Sequence, residues 1–280
     1  MGKKLLQMNF IKKIFGREEN DVKEIVYGST DIGRQREENE DSYLLMPEMG
    51  IYVVADGMGG HNAGEVASLN VVTALGEYFT AERVSEMRDD GEKVKEKMLD
   101  AVIEAHKRVM TVSGTSEEYT GMGSTIAISF ISENVLHTCH VGDSRVYVIN
   151  RSSITQITND HSTVAELVRV GKMTREQARQ SPLKNQITQA LGVPFPLNPE
   201  YNRTYALNNG DVVLLCSDGL WDMLSDEDIQ AVVMDNESVE DACTELIHQA
   251  NEAGGDDNIT VILVQIGGNS TRATTEVRWK

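Results

Sequence analysis

The chain has 280 residues, 40% of them hydrophobic, with 44 acidic against 26 basic side chains and a formal net charge of −18. That length holds one large domain or two small ones, and the apolar share supports a sizeable core. The acidic balance excludes a general nucleic-acid binder, whose phosphate contacts need a basic face, and leaves carboxylates over for hard cations.

The first stretch, MGKKLLQMNFIKKIFGREEND, is basic and weakly amphipathic. It lacks the continuous apolar core and small-residue cleavage site of a signal peptide. Leu6 stands where a myristoylation signal wants Ser or Thr. Residues 1–21 therefore read as a flexible basic extension. Strand patterns follow at 23–30, 42–46 and 51–55. A helix is predicted over 64–79, with Val66, Leu69, Val72, Leu75 and Phe79 near helical spacing. A second is predicted over 92–113, with Val94, Met98, Val102, Ala105 and Val109 on one stripe. Four strands then crowd together at 124–131, 135–141, 145–149 and 153–158. Glu133–Asn134 and Asn150–Ser152 have the length of hairpin turns. Residues 159–200 break the rhythm: two helix-like pieces, STVAELVRVG and TREQARQ, precede a segment with four of the five prolines. This predicts a surface flap. The runs RTYAL, VVLLC and ITVILVQI, with a helix over 238–253, complete a domain spanning 22–267. Residues 268–280 form a polar tail.

Strands cluster and helices fall between the clusters, so a regular βαβ alternation is excluded. Alternating apolar and polar positions favour antiparallel pairing. The predicted class is α+β, with two antiparallel sheets and helices packed outside them. No run is long enough to span a bilayer. Cys139, Cys216 and Cys243 are scattered through apolar runs, which reads as buried, reduced thiols in a cytoplasmic protein.

Chemistry concentrates at strand ends. GRQREENED places Arg36, Asn39, Glu40 and Asp41 before one strand, and YVVADGMGGH places Asp56 after another. HVGDSR sets Asp143 in a tight turn, SDGLWD sets Asp218 after VVLLC, and GGDDNIT sets Asp256 and Asp257 before ITVILVQI. Any one of these carboxylates alone would be a turn residue. Together they can converge at one edge of a sandwich, where they repel each other unless Mg²⁺ or Mn²⁺ supplies counter-charge. The glycines after Asp56 let backbone approach such a centre closely.

In this order and spacing, GRQREENED, ADGMGGH, GDSR, SDGLWD and DDNIT resemble the protein phosphatase 2C family, above all its compact bacterial branch. The resemblance covers about Lys23 to Gly267. It implies a four-layer α-β-β-α sandwich and metal-dependent hydrolysis of phosphoserine and phosphothreonine in proteins, opposing serine/threonine kinases. It implies that Asp56, Asp218 and Asp257 hold a first metal. Asp56, the Gly57 carbonyl and, through waters, Glu40 and Asp41 hold a second, and Asp143 with Asp218 a weaker third. Arg36 would grip the substrate phosphate, and His61 would act as general acid. The expected partners are phosphorylated proteins, including a kinase, and the expected state is a monomer. The flap departs from the bacterial pattern at Gln180, Ser181 and Gln189.

The chemistry suits the residues. A phosphate dianion repels hydroxide, and two divalent cations acidify a water while neutralising phosphate charge, so no protein nucleophile is needed. Arg36 can pair with phosphate oxygens. His61 can titrate near neutrality and protonate the departing alkoxide. His106 and His248 lie in helical segments, and His161 reads as structural at the border of the flap. His137 and His140 flank Cys139 in one strand, where a closed four-ligand zinc shell is not expected. An aspartyl-phosphate phosphatase would need D-x-D, but Met58 occupies the second position after Asp56. No loop carries an EF-hand calcium pattern. A phosphoprotein-binding module that keeps the fold without catalysis would show a missing metal carboxylate, and none is missing.

Overall fold

The computed structural model describes residues 24–60 and 63–267. The extension 1–21, the tail 268–280 and His61 lie outside the described residues. The strands are β1 (Glu24–Asp31), β2 (Asp41–Met46), β3 (Ile51–Met58), β4 (Gly123–Ser124), β5 (Ile126–Ser132), β6 (Val135–Val141), β7 (Arg145–Asn150), β8 (Ser153–Gln156), β9 (Glu200–Ala206), β10 (Val212–Cys216) and β11 (Ile259–Ile266). The helices are α1 (Ala63–Tyr78), α2 (Ala81–Met87), α3 (Gly91–Ser113), α4 (Thr163–Arg169), α5 (Arg175–Arg179), α6 (Asp218–Trp221), α7 (Asp226–Asp235) and α8 (Val239–Glu252). One sheet runs β1-β11-β10-β7-β8; the other runs β2-β3-β5-β6-β9, with β4 beside β3. All the pairings are antiparallel.

Strand alternation builds three apolar layers. Along β3, Ile51, Val53 and Ala55 face α1 and α3, while Tyr52 and Val54 face the opposite sheet. Along β10, Val212, Leu214 and Cys216 pack with α7 and α8, while Val213 and Leu215 turn to the sheet interface. Successive side chains leave a strand on opposite faces, so an uninterrupted apolar run marks a strand covered on both sides. The result is the four-layer α-β-β-α sandwich that the resemblance implied. The three cysteines are buried free thiols.

The Glu133–Asn134 link is a tight hairpin with φ of 50° and 62°, the left-handed pair that matches strand twist. Three helices were not anticipated: α2, α7 and the single turn α6. Thr80 caps the first, and a Ser225–Asp228 capping box opens the second, so the signals were present but local. The strand predicted over 124–131 is interrupted at Thr125, whose backbone N–H turns to the Asp56 carbonyl at 2.8 Å. RTYAL belongs to a strand that begins earlier, at Glu200.

Between β8 and β9 the chain makes the short helices α4 and α5 and an irregular return. Arg179 donates to the carbonyls of Trp221 at 3.0 Å and Leu224 at 2.8 Å, and Lys184 pairs with Asp222 at 2.6 Å. The flap is thus tied to the turn that follows β10. Gln189 accepts from the Asn198 N–H at 2.8 Å, Gln180 bonds Glu176, and Ser181 accepts from the Leu183 N–H. Gln180, Ser181 and Gln189 thus make bonds internal to the flap.

Leu214 is fully buried in the layer beneath α7 and α8. Leu214→Ala is expected to cost about 2–5 kcal/mol of folding stability through lost transfer energy and the cavity left behind. Urea unfolding followed by far-UV circular dichroism checks this.

Candidate metal centre

The antiparallel register of β2 and β3 puts Asp41 directly opposite Asp56. The Gly57 N–H donates to the Glu40 carbonyl at 3.0 Å and extends this pairing past the strand end. Gly57 is required here by close approach: a Cβ would strike the Gly64 carbonyl and sit 2.6 Å from that of Glu40. Gly64 in turn lies against the Glu40 carboxylate, which accepts its N–H. The glycines of ADGMGGHNAG therefore let the start of α1 close on Glu40.

Asp218 is the first residue of α6, immediately after β10, and Asp257 lies just before β11. The central pair β10–β11 delivers both to the same edge as β2 and β3. Asp143 sits in the β6–β7 turn, where Gly142 has φ of 100°. The fields at Asp56 come from Asp41, Asp218, Asp143 and Asp257, so one neighbourhood holds all five. Burial, and then these neighbours, push the Asp56 carboxyl well above its ordinary range. Burial raises Asp218 to about 7, with Asp257 and Asp222 adding to it. Burial raises Asp41 to about 8, against the bonds it accepts from Thr260 and Ser217. Asp143 rises well above its usual range through burial and its neighbours Asp218 and Asp160. Glu40 is raised by burial, with Arg36 opposing.

Arg36 pairs with Asp257 at 2.6 Å. Burial lowers its pKa, but Asp257, Glu40 and Asp218 outweigh that and the net shift is upward. The pair is part-exposed, at 47% and 30% of the side chains, so it contributes only about 0–1 kcal/mol and is readily exchanged.

Several residues that hold the carboxylates were not singled out in the sequence. Ser217 and Thr260 hydroxyls donate to Asp41 Oδ2 at 2.7 and 2.6 Å. Thr125 Oγ1 accepts the Asp56 N–H at 3.0 Å. Asn258 Oδ1 accepts the Glu40 N–H at 2.8 Å, and its amide donates to the carbonyls of Ile32 and Glu38, both at 2.9 Å. Ser217, Asn258 and Thr260 stand within the very motifs that carry the aspartates. Around Asp143 the bracing differs from a self-contained turn. Ser144 bonds Thr125 at 2.7 Å, and Arg145 grips Asp160 at 2.6–3.2 Å while stacking on Trp221 at 3.6 Å. Trp221 Nε1 donates to the Asp143 carbonyl at 3.1 Å.

Asp41 Oδ1 and Asp218 Oδ1 are buried without any hydrogen-bond partner. Orphan oxygens on clustered carboxylates fit hard divalent cations, for which oxygen donors are the preferred ligands. An acidic edge of this kind on a two-sheet sandwich is a site for divalent cations. Comparison with known proteins makes this specific. The family model for protein phosphatase 2C matches residues 25–259. Protein phosphatase PhpP of Streptococcus pneumoniae is 37% identical over 240 residues, covering 85% of this chain and 95% of its own. The serine/threonine phosphatase of S. agalactiae superposes with a TM-score of 0.79 at 36% identity, covering 87% of this chain and 99% of its own. The catalytic domain of the phosphatase PstP, in complex with two manganese ions, superposes with a TM-score of 0.74 at 33% identity, over 88% and 99% of the two chains. The chain belongs to the protein phosphatase 2C family, and it is a serine/threonine protein phosphatase.

The raised carboxyls set the pH dependence of the metal-free protein. Asp41 and Asp218 bind protons more tightly folded than unfolded, so they favour folding fully below about pH 4. That contribution is lost as pH rises through about 7 and 8. In excess chelator, thermal stability is expected to fall between pH 5 and about 8.5, and saturating Mn²⁺ to restore most at the alkaline end. Asp41→Asn is expected to flatten the chelated profile. Scanning calorimetry across that range checks both.

Proposed function

We propose that this phosphatase hydrolyses phosphoserine and phosphothreonine esters of proteins at the edge where Asp56, Asp218 and Asp257 meet, with Mn²⁺ or Mg²⁺ as cofactor. The observation that carries this is the group of buried, mutually repelling carboxylates with two orphan oxygens. Arg36 offsets Asp218 and Glu40, and Arg145 offsets Asp143, yet all three carboxyls remain raised. Asp56, Asp218 and Asp257 would hold one cation. Asp56 and the Gly57 carbonyl, with Glu40 and Asp41 through waters, would hold a second. Asp143 with Asp218 would hold a third and weaker one. Such ions supply a water acidic enough to attack at neutral pH and neutralise phosphate charge.

The protein's own groups do the rest. Arg36 leaves its part-exposed pair with Asp257 and takes two phosphate oxygens, which orients the phosphorus towards the carboxylate edge. Ser217 and Thr260 keep Asp41 Oδ2 engaged, which leaves Oδ1 without a partner. The His61 imidazolium gives its proton to the departing serine or threonine oxygen. A serine/threonine kinase is among the expected substrates, and the working form is a cytoplasmic monomer.

Asp56→Asn is expected to reduce turnover of a phosphopeptide to background, and chelation of the wild type to do the same reversibly with Mn²⁺. An active, metal-replete Asp56→Asn would remove the aspartate from its bridging role. Arg36→Ala is expected to weaken phosphopeptide binding about 10- to 100-fold, the scale of lost charged hydrogen bonds. Steady-state kinetics with product inhibition by phosphate measure it.

A further inference from the structure

Beside the turn that carries Asp143, β6 and β9 run side by side with His140 directly opposite Glu200. The loop after β8 lays the His161 ring on that of His140, with centroids 4.7 Å apart and planes inclined by 21°. One nitrogen of each ring and one carboxylate oxygen of Glu200 lie within 4.8 Å of one another. His140 Nε2 bonds the Asn159 carbonyl at 2.7 Å, so it carries the proton. Its Nδ1 is left as a lone pair, in a fully buried residue, with no partner. Glu200 Oε1 accepts from the amides of Asn159 at 2.6 Å and Asn202 at 3.1 Å, which fixes the carboxylate and leaves Oε2.

We propose that His140, His161 and Glu200 form a second cation site, selective for a borderline transition metal such as Zn²⁺, at the base of the flap. Two imidazoles and a carboxylate, with a water in the fourth position, are a zinc donor set. The all-oxygen aspartate edge suits Mn²⁺ and Mg²⁺, so the two sites sort different metals. The carbonyl–histidine–metal arrangement is already built for His140, since a backbone acceptor on one ring nitrogen orients the other towards a metal. Burial keeps both rings neutral, His161 at about 4 with His140 adding to the effect, and neutral imidazole is the ligating form. Tetrahedral donors about 2.0–2.1 Å from zinc lie roughly 3.3 Å apart. Closing on the ion draws the donor atoms inward by up to about 1 Å and swings the two stacked ring planes apart, so that both in-plane lone pairs meet the ion.

The site connects to its surroundings through His161. The His161 N–H donates to the Gly142 carbonyl at 2.9 Å, and its carbonyl accepts from Thr188 of the flap at 2.7 Å. Without metal, His161 Nδ1 accepts the Gly142 N–H at 3.2 Å, which places the ring proton on Nε2. Ligation through Nε2 moves that proton to Nδ1, and the bond from Gly142 is given up. The turn that carries Asp143 thereby senses the metal.

Metal uptake, rather than turnover, reads out this site. Zn²⁺ is titrated calorimetrically into the full chain saturated with Mn²⁺, while electron paramagnetic resonance follows free Mn²⁺. One equivalent of Zn²⁺ should bind without releasing Mn²⁺. His161→Asn and Glu200→Gln should each weaken it at least about tenfold. Co²⁺ in place of Zn²⁺ should give the intense visible bands of a four-coordinate ion in the wild type, a readout that needs no variant. Absence of uptake, stoichiometric loss of Mn²⁺ as zinc enters, or only weak six-coordinate Co²⁺ bands would overturn the proposal. So would unchanged zinc affinity in both folded variants.

Discussion

Repulsion among buried carboxylates at the common edge of the two sheets is the constraint that organises this molecule. Asp41 and Asp56 are cross-strand neighbours, and Asp218, Asp143 and Asp257 act on the same space. Two like charges 4 Å apart cost about 4 kcal/mol at an effective dielectric of 20. The whole net stability of a domain is about 5–15 kcal/mol. Such an edge needs protons or cations, and it needs a frame stable enough to hold the charges in place until they arrive. The three apolar layers provide that frame, with β3, β10 and β11 buried on both faces.

The frame also decides which oxygens stay available. Ser217 and Thr260 engage one oxygen of Asp41 and leave the other orphaned. Gly57 and Gly64 let α1 approach Glu40 where any side chain would block it. The Asp56 amide is taken by Thr125, at the position that interrupts the long strand before β6. The irregularity in β4–β5 is therefore the cost of ordering a carboxylate: the Thr125 N–H keeps its bond to the Asp56 carbonyl, and the Asp56 N–H goes to the Thr125 hydroxyl in place of its carbonyl.

Much of this was legible in the sequence, for identifiable reasons. Strand runs such as ITVILVQI announce themselves by composition, and the structure places that strand at Ile259–Ile266. The aspartates stand out because each ends or begins such a run beside glycine or serine. The supporting hydroxyls were invisible because Ser and Thr are common at strand ends, and only the fold shows which face a carboxylate. The Arg36–Asp257 pair spans 221 positions and has no local signal. The histidines teach the same lesson. His137 and His140 suggested one strand with too few ligands. His140 instead meets His161 and Glu200, which arrive from a loop and from a strand beyond the flap.

The flap is coupled to the carboxylate edge through a few anchoring side chains. Its anchors reach the catalytic side through the segment that starts at Asp218. Lys184 holds Asp222, and Arg179 caps carbonyls of Trp221 and Leu224. Trp221 carries Arg145 on its ring and bonds the Asp143 carbonyl, so the turn bearing Asp143 and the helix bearing Asp218 are packed as one unit. Gln180, Ser181 and Gln189 bond within the flap. These residues shape the flap from inside, while those that fasten it act on the Asp218 turn. Change in the fastening residues would disturb the carboxylates themselves, whose mutual repulsion leaves little tolerance for movement.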